Sequence, residues 1–211
     1  MCLSHCWGDD TSLLIKTLKD NIEDWKRRIP LAMLPQTFVD AVRITRDLKI
    51  RYLWVDSLCI IQDDPQDWER ESAEMASIYK NSYLTIAATA SKDSSEGCFR
   101  SRKPFSVLLK PGVERTKPDP SQILLVYPDS ENTIYQYMLE APLHARGWAF
   151  QEMFLSPRTL HFCEDQLFWQ CLEQTATEDG LIDFGSYSRH YNKISSVLEG
   201  TLGMKLHFAK C

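Results

Sequence analysis

Glu71 lies at the inward edge of an otherwise apolar helical face, and chemistry in this chain would begin there. At about 100° per residue, Trp68, Ser72, Met75 and Tyr79 form one stripe flanked by Glu71 and Ile78, while Glu69 and Glu74 fall outside it. A carboxyl group buried on such a face has its pKa raised unless a cation or hydrogen-bond donors compensate. Arg146 is a candidate partner. Glu71 therefore either faces a ligand or clamps Arg146 or a backbone amide inside the core.

A second group falls at the ends of short strands. Ser4, His5, Trp7 and Gly8 close the first one. In doubly wound sheets ligands bind outside the carboxyl ends of the strands. Trp7 could stack on a nucleobase there, and Gly8 would allow close backbone approach; the alternative is a core tryptophan and a turn glycine. Asp56 ends its own strand on the same rim, to bind a ribose hydroxyl or to cap the following turn. Arg146-Gly147-Trp148 with Gln151 and Glu152 makes a polar helix beginning. Arg146 could take a phosphate bidentately while Gln151 and Glu152 read polar groups, or an internal Arg–Glu bridge could orient the helix. His5, Asp56 and Cys59 are the parts of a Cys/His hydrolase, but Cys59 stands between Leu58 and Ile60 and nothing fixes the geometry. No Walker loop and no GxGxxG is present, which disfavours P-loop NTPases, kinases and ordinary dehydrogenases.

The elements that must position these residues follow from hydrophobic period. Met1 to His5 reads as a very short strand. Leu14, Leu18, Ile22 and Trp25 recur at helical steps and predict a helix over 11–28. A second helix is expected from Gln36 to Lys49. Arg51 to Asp56 reads as a buried strand. Asp64 as N-cap and Pro65 at the first helical position start a helix that runs to Lys80. A strand over Tyr83–Thr89 follows, so that 51–89 reads as a βαβ unit of a parallel sheet. Residues 100–122 are expected to be irregular, Ile123–Tyr127 a strand and Ala145–Leu155 a short helix. Thr159–Cys163 and Leu167–Cys171 form a hairpin, and residues 173–211 are a weakly patterned tail. The class predicted is α/β, a mainly parallel sheet flanked by helices with an added β-hairpin.

Composition narrows the function. Of 211 residues, 44% are hydrophobic and 25% charged, an ordinary globular balance that excludes a disordered chain. With 24 basic against 29 acidic residues the net charge is −5, a poor match to a phosphate backbone, so nucleic acid is not an expected partner. No apolar run reaches the roughly 18 residues of a membrane span. The N-terminus has neither a basic n-region nor an apolar h-region, so a cytoplasmic location is expected. Seven cysteines without a CxxC, several in apolar runs, read as reduced thiols. The rival is a zinc site from Cys2, His5, Cys6, His161, Cys163 and Cys171, whose spacings match no standard zinc pattern. No bound metal or cofactor is expected.

Leu3-Ser-His-Cys-Trp-Gly8, Leu34-Pro-Gln-Thr-Phe-Val-Asp-Ala41 and Arg51-Tyr-Leu-Trp-Val-Asp-Ser-Leu-Cys-Ile-Ile-Gln-Asp63 are followed by Trp68-x-x-Glu71-Ser-x-x-Met75-x-x-Ile78-Tyr79. Tyr83 to Ala88, Arg146-Gly-Trp-x-x-Gln-Glu152, Leu155 to Phe162 and Gln166 to Cys171 complete the series. In this order the blocks resemble the fungal heterokaryon-incompatibility (HET) domain, over about residues 1–172. The resemblance implies fungal non-self recognition and programmed cell death. HET domains are in turn distantly similar to TIR domains, some of which cleave NAD at the nicotinamide–ribose bond with one glutamate on a helix after a central strand. Glu71 takes that position here as the catalytic residue, with NAD as substrate. Ser4, His5, Trp7, Gly8, Asp56, Arg146, Gln151 and Glu152 would bind the nucleotide. The alternatives are a non-enzymatic module that signals by self-association or by an allorecognition partner protein, and an inactive truncated member. Only Met1 and Cys2 precede Leu3, which implies a shortened first strand.

Overall fold

The computed structural model describes residues 1–12, 14–101 and 140–178, together with the backbone of 182–183. The expected strand over 123–127, the irregular stretch from residue 102 and the tail beyond 183 lie outside the described residues.

The sheet runs in the order β1 (Cys2–Ser4), β2 (Thr85–Ala87), β3 (Arg158–Phe162), β4 (Leu167–Cys171), β5 (Thr175–Thr177) and β6 (Ile182–Asp183). β1, β2 and β3 are parallel, with Leu3 opposite Ile86 and Ile86 opposite Leu160. From β3 onward the strands alternate direction as a meander. The α/β class therefore stands, with the parallel part carrying the helical crossovers and the hairpin extending it. β5 and β6 fall inside the segment expected to be a weakly patterned tail. They extend the sheet because β4 offers them a free edge, a long-range cause that local composition does not register.

Helix α1 (Ile22–Arg27) is much shorter than the 11–28 predicted. Residues 14–18 instead run beside 57–61: Thr17 N–H donates to Ser57 O at 2.9 Å and its hydroxyl to Leu58 O at 2.6 Å. The Asn21 side chain accepts from Leu18 N–H and donates to Lys16 O, offering the backbone a partner other than a helix. Leu14 is buried from an irregular segment. Helix α2 (Gln36–Asp47) forms as expected and presents Phe38, Ala41 and Thr45 to the core. Lys49, at φ 58°, turns the chain out of it.

The predicted strand 51–56 reduces to a single parallel bridge between Trp54 and Cys2, with Leu3 N–H on Trp54 O at 2.9 Å. It stops there because Asp56–Cys59 coil into a one-turn helix, α3. Helix α4 (Pro65–Lys80) begins as its sequence dictates: Asp64 is extended and its carboxylate accepts from Gln66 N–H. Met75 and Tyr79 are buried against Cys2 and Ile60. Trp68, expected on the same stripe, is 49% exposed. Helix α5 (Gly147–Leu155) follows a 3-10 turn over Pro142–Ala145 and packs on α4 and β1. The main core gathers Leu3, Ile86, Phe38, Ala41 and Val55 between the sheet and α2.

Candidate functional site

Three chain segments meet at the carboxyl ends of β1 and the Trp54 bridge. β1 brings Ser4 and is followed by His5 and Trp7, α3 brings Asp56, and the turn into α5 brings Arg146 and Glu152. Trp7, Asp56, Arg146 and Glu152 line a cavity of about 300 Å³ with Gln62, Trp68, Ser72 and Trp148 around them, while Ser4 and His5 lie behind its wall, Ser4 bonded to Glu152 and the His5 carbonyl to Arg146. That is the lower end of the size range for small-molecule sites.

Glu152 is 1% exposed. Its Oε2 accepts from the Ser4 hydroxyl at 2.5 Å. Burial pushes its pKa up to about 7; the charge of Asp56 adds to the rise, and Ser4, Arg146 and Tyr79 oppose it. A carboxyl group that exchanges its proton near neutral pH is suited to general acid–base work. Tyr79 donates to Leu3 O at 3.2 Å, and burial raises its own pKa well above the usual phenol value.

Asp56 is held from two sides: Trp7 Nε1–H donates to Oδ2 at 3.0 Å, and Ser57 N–H donates to Oδ1 at 2.7 Å. Arg146 hydrogen-bonds the carbonyl of His5. Its guanidinium also stands 3.8 Å from Asp56 and 5.7 Å from the centre of the Trp7 ring. His5 is fully enclosed, and burial lowers its pKa to about 4 against the pull of Asp56. Its Nδ1 is 3.8 Å from Asp56 Oδ1, but a neutral imidazole makes no ion pair there, and neither ring nitrogen has a hydrogen-bond partner. The net result is a buried acid pair, one arginine, and an imidazole with spare hydrogen-bonding capacity.

The structure thus brings together Ser4, His5, Trp7, Asp56, Arg146 and Glu152. It does not bring in Gly8, Gln151 or Glu71. Gly8 has φ 83°, and a Cβ there would come within 2.9 Å of Asp93 Cβ, so the glycine serves packing between two loops. Gln151 is half-buried on α5 and does not line the cavity. Glu71 is half-buried on α4, where its Oε1 accepts from Arg70 Nε at 3.2 Å. Of the alternatives open to Glu71, the clamp on Arg146 does not form, since Arg146 meets Asp56 and the His5 carbonyl instead. The reason is helical phase: Ser72 and Met75 reach the cavity and Glu71 faces sideways. Tyr79 was legible only as a core aromatic, and Trp148 only as part of a polar block. Their roles depend on α4 and α5 packing side by side. Among the described residues no three His, Cys, Asp or Glu side chains are placed to hold a metal ion, and the six described cysteines are free thiols.

Comparison with known proteins follows the same segments. Heterokaryon incompatibility protein 6, OR allele, of Neurospora crassa is 28% identical over 92 residues. The match covers 41% of this chain, and the chain spans only 13% of that protein. No solved structure matches the chain. The family model described as heterokaryon incompatibility protein (HET) matches residues 1–152, a run that takes in every cavity residue from Trp7 to Glu152. With most of its 211 residues inside that match, the chain belongs to the heterokaryon incompatibility family.

Proposed function

We propose that this chain serves fungal non-self recognition and that its cavity is a nucleotide site that cleaves NAD at the nicotinamide–ribose bond. The observation that carries the reading is Glu152, enclosed beside Asp56 and Arg146 at the base of a cavity with half-exposed tryptophans around it. The nicotinamide leaves with the electron pair of the C1′–N bond, a carboxylate in a low-dielectric cavity stabilises the positive charge left on the ribose, and water adds at C1′ and gives up a proton. The leaving nicotinamide is cationic before cleavage, so no strong acid is required. Trp68 and Trp148 offer faces for a planar ring, and Arg146 offers a guanidinium to a phosphate. Glu71 is the catalytic residue that the TIR similarity suggests; Glu152 has the support of geometry. Death of the fused cell would follow from NAD depletion.

The test is nicotinamide release from NAD by the concentrated protein, beside a folded Glu152→Gln variant. Release by the parent and a loss of about a hundredfold or more in the variant is expected. No release by the parent, or equal release by both, contradicts the reading.

A second reading, signalling by self-association, is favoured by the opposite end of the sheet. Tyr52 is 73% exposed and Tyr83 59%, each with an arginine over its ring, Arg51 and Arg158. By register the two tyrosines flank the start of β1. Exposed aromatics with arginine are the composition of interface hot spots. Sedimentation of the parent against Tyr52→Ala/Tyr83→Ala decides it: a dimer lost in the variant supports this reading, and a monomer at high concentration contradicts it.

A further inference from the structure

A second concavity lies on the other side of α3. It has a volume of about 520 Å³, and its walls come from Trp25 of α1, from Leu31 and Leu34 in the turn that follows, from Phe38 and Val42 of α2, and from Leu58 of α3. Asp56 faces the polar cavity and Leu58 and Cys59 this groove, so the one-turn helix α3 is the wall between them. The groove's aliphatic character continues outward: Leu31 is 47% exposed and the neighbouring Met33 55%. Large aliphatic groups left in water beside an open groove mark a place where something apolar is accommodated.

The charge at its lip says what else the occupant carries. Arg28 and Arg46 both line the groove. The acids of their own helices are otherwise engaged: Lys26 pairs with Glu23 at 2.8 Å, Arg27 with Asp24 at 3.4 Å and Arg43 with Asp47 at 3.9 Å, while Asp40 accepts from Gln36 and from the Cys98 N–H. Neither the Arg28 nor the Arg46 guanidinium has an ion-pair partner among the described residues. In a chain of net charge −5, two uncommitted guanidiniums at the edge of one apolar groove form a local cationic lip. Guanidinium matches a carboxylate or a phosphate bidentately, and the groove matches a hydrocarbon arm.

We propose that this groove binds a long-chain carboxylate, its alkyl arm along Phe38, Val42 and Leu58 and its head group between Arg28 and Arg46. The site is separate from the Glu152 cavity, and the proposal stands or falls apart from NAD cleavage. Because α3 is shared, an occupant of the groove would press on the helix that carries Asp56.

The probe is hexadecanoate below its micelle concentration, titrated calorimetrically into the full chain. Three controls accompany it: hexadecanol, the double variant Arg28→Gln/Arg46→Gln, and Val42→Phe, which fills the groove. Both arginines are exposed, so the double variant is expected to melt with the parent, and near-UV circular dichroism checks Val42→Phe. Saturable one-site binding is expected, weakened about tenfold or more by the double variant and by the alcohol, and lost in Val42→Phe. Absence of saturable binding, or equal affinity for acid and alcohol in parent and double variant, would overturn it. So would a dimer in sedimentation that disappears in Val42→Phe, since the groove would then be covered by a second copy.

Discussion

Two clusters of buried polar groups stand on the same sheet, and they are built on opposite terms. Around His161 on β3 every hydrogen-bonding atom of the ring is used: Nδ1 lies 3.1 Å from the Thr89 hydroxyl and Nε2 3.0 Å from Gln170 Oε1. Around β1 the terms are reversed. His5 is equally buried but has neither ring nitrogen partnered, and Glu152 is pushed toward neutrality with Asp56 adding to the push. Both histidines have pKa values lowered to about 4 by burial, so titration alone does not distinguish them. Satisfaction does. The His161 ring is itself satisfied, although the Nε2 of His144 stacked on it has no partner, whereas the His5 ring is unpartnered on both nitrogens in a cluster whose Glu152 and Asp56 line a cavity.

The comparison can be sharpened first at Glu152. Its folded pKa of about 7 lies above the ordinary 4.5, so the native state holds the proton more firmly than the unfolded chain. The stability that this group contributes is present below pH 4.5 and is lost as pH rises through 7. Glu152→Gln removes that slope. The stability difference between variant and parent should grow in the variant's favour by about 3 kcal/mol between pH 4.5 and 8, read from urea unfolding across that range. A constant difference would mean that Glu152 is not a strained group.

His161→Phe comes next. It leaves Thr89 and Gln170 without their shared partner and should cost about 2 kcal/mol in the same experiment. The matching change on the other side, His5→Phe, removes two unpartnered nitrogens and keeps the edge contact with Phe38, whose ring centre is 4.9 Å away. It should leave stability within about 0.5 kcal/mol of the parent or raise it at pH 7. Below that the variant should gain further, because the parent loses stability as pH falls from 6.5 toward 4. Equal losses for the two phenylalanine variants would dissolve the distinction between the clusters. Smallest of all is Trp148→Ala: the side chain is half-exposed, so stability should move by less than about 0.5 kcal/mol, while the apparent affinity for NAD should fall several-fold.

Much of the frame was legible because its signals are local. Asp64-Pro65 announces the start of α4, and the stripe of Met75 and Tyr79 announces its buried face. The hairpin of β3 and β4 follows from two alternating runs around Glu164-Asp165-Gln166. Four of the residues expected to bind, Trp7, Asp56, Arg146 and Glu152, line one cavity, and Ser4 and His5 support them from behind, since strand ends and one helix start meet there. What failed depends on distant contacts. The helix expected over 11–28 gives way at Thr17 because Ser57 and Leu58 offer it better partners. The position of Glu71 turns on helical phase: one residue of rotation from Ser72 aims it at Arg70 and not into the cavity. Glu152 is enclosed where its helix packs on α4 and β1, and its hydrogen-bond donor Ser4 is 148 positions away, which no local pattern encodes.

The central claim is that the carboxyl group at the heart of this site is Glu152. Nicotinamide release from NAD by the parent, Glu152→Gln and Glu71→Gln, compared at pH 7 with each variant shown to be folded, tests it most directly. The account predicts turnover by the parent, near-complete loss in Glu152→Gln, and turnover within about threefold of the parent in Glu71→Gln. Loss in Glu71→Gln with turnover retained in Glu152→Gln would contradict it.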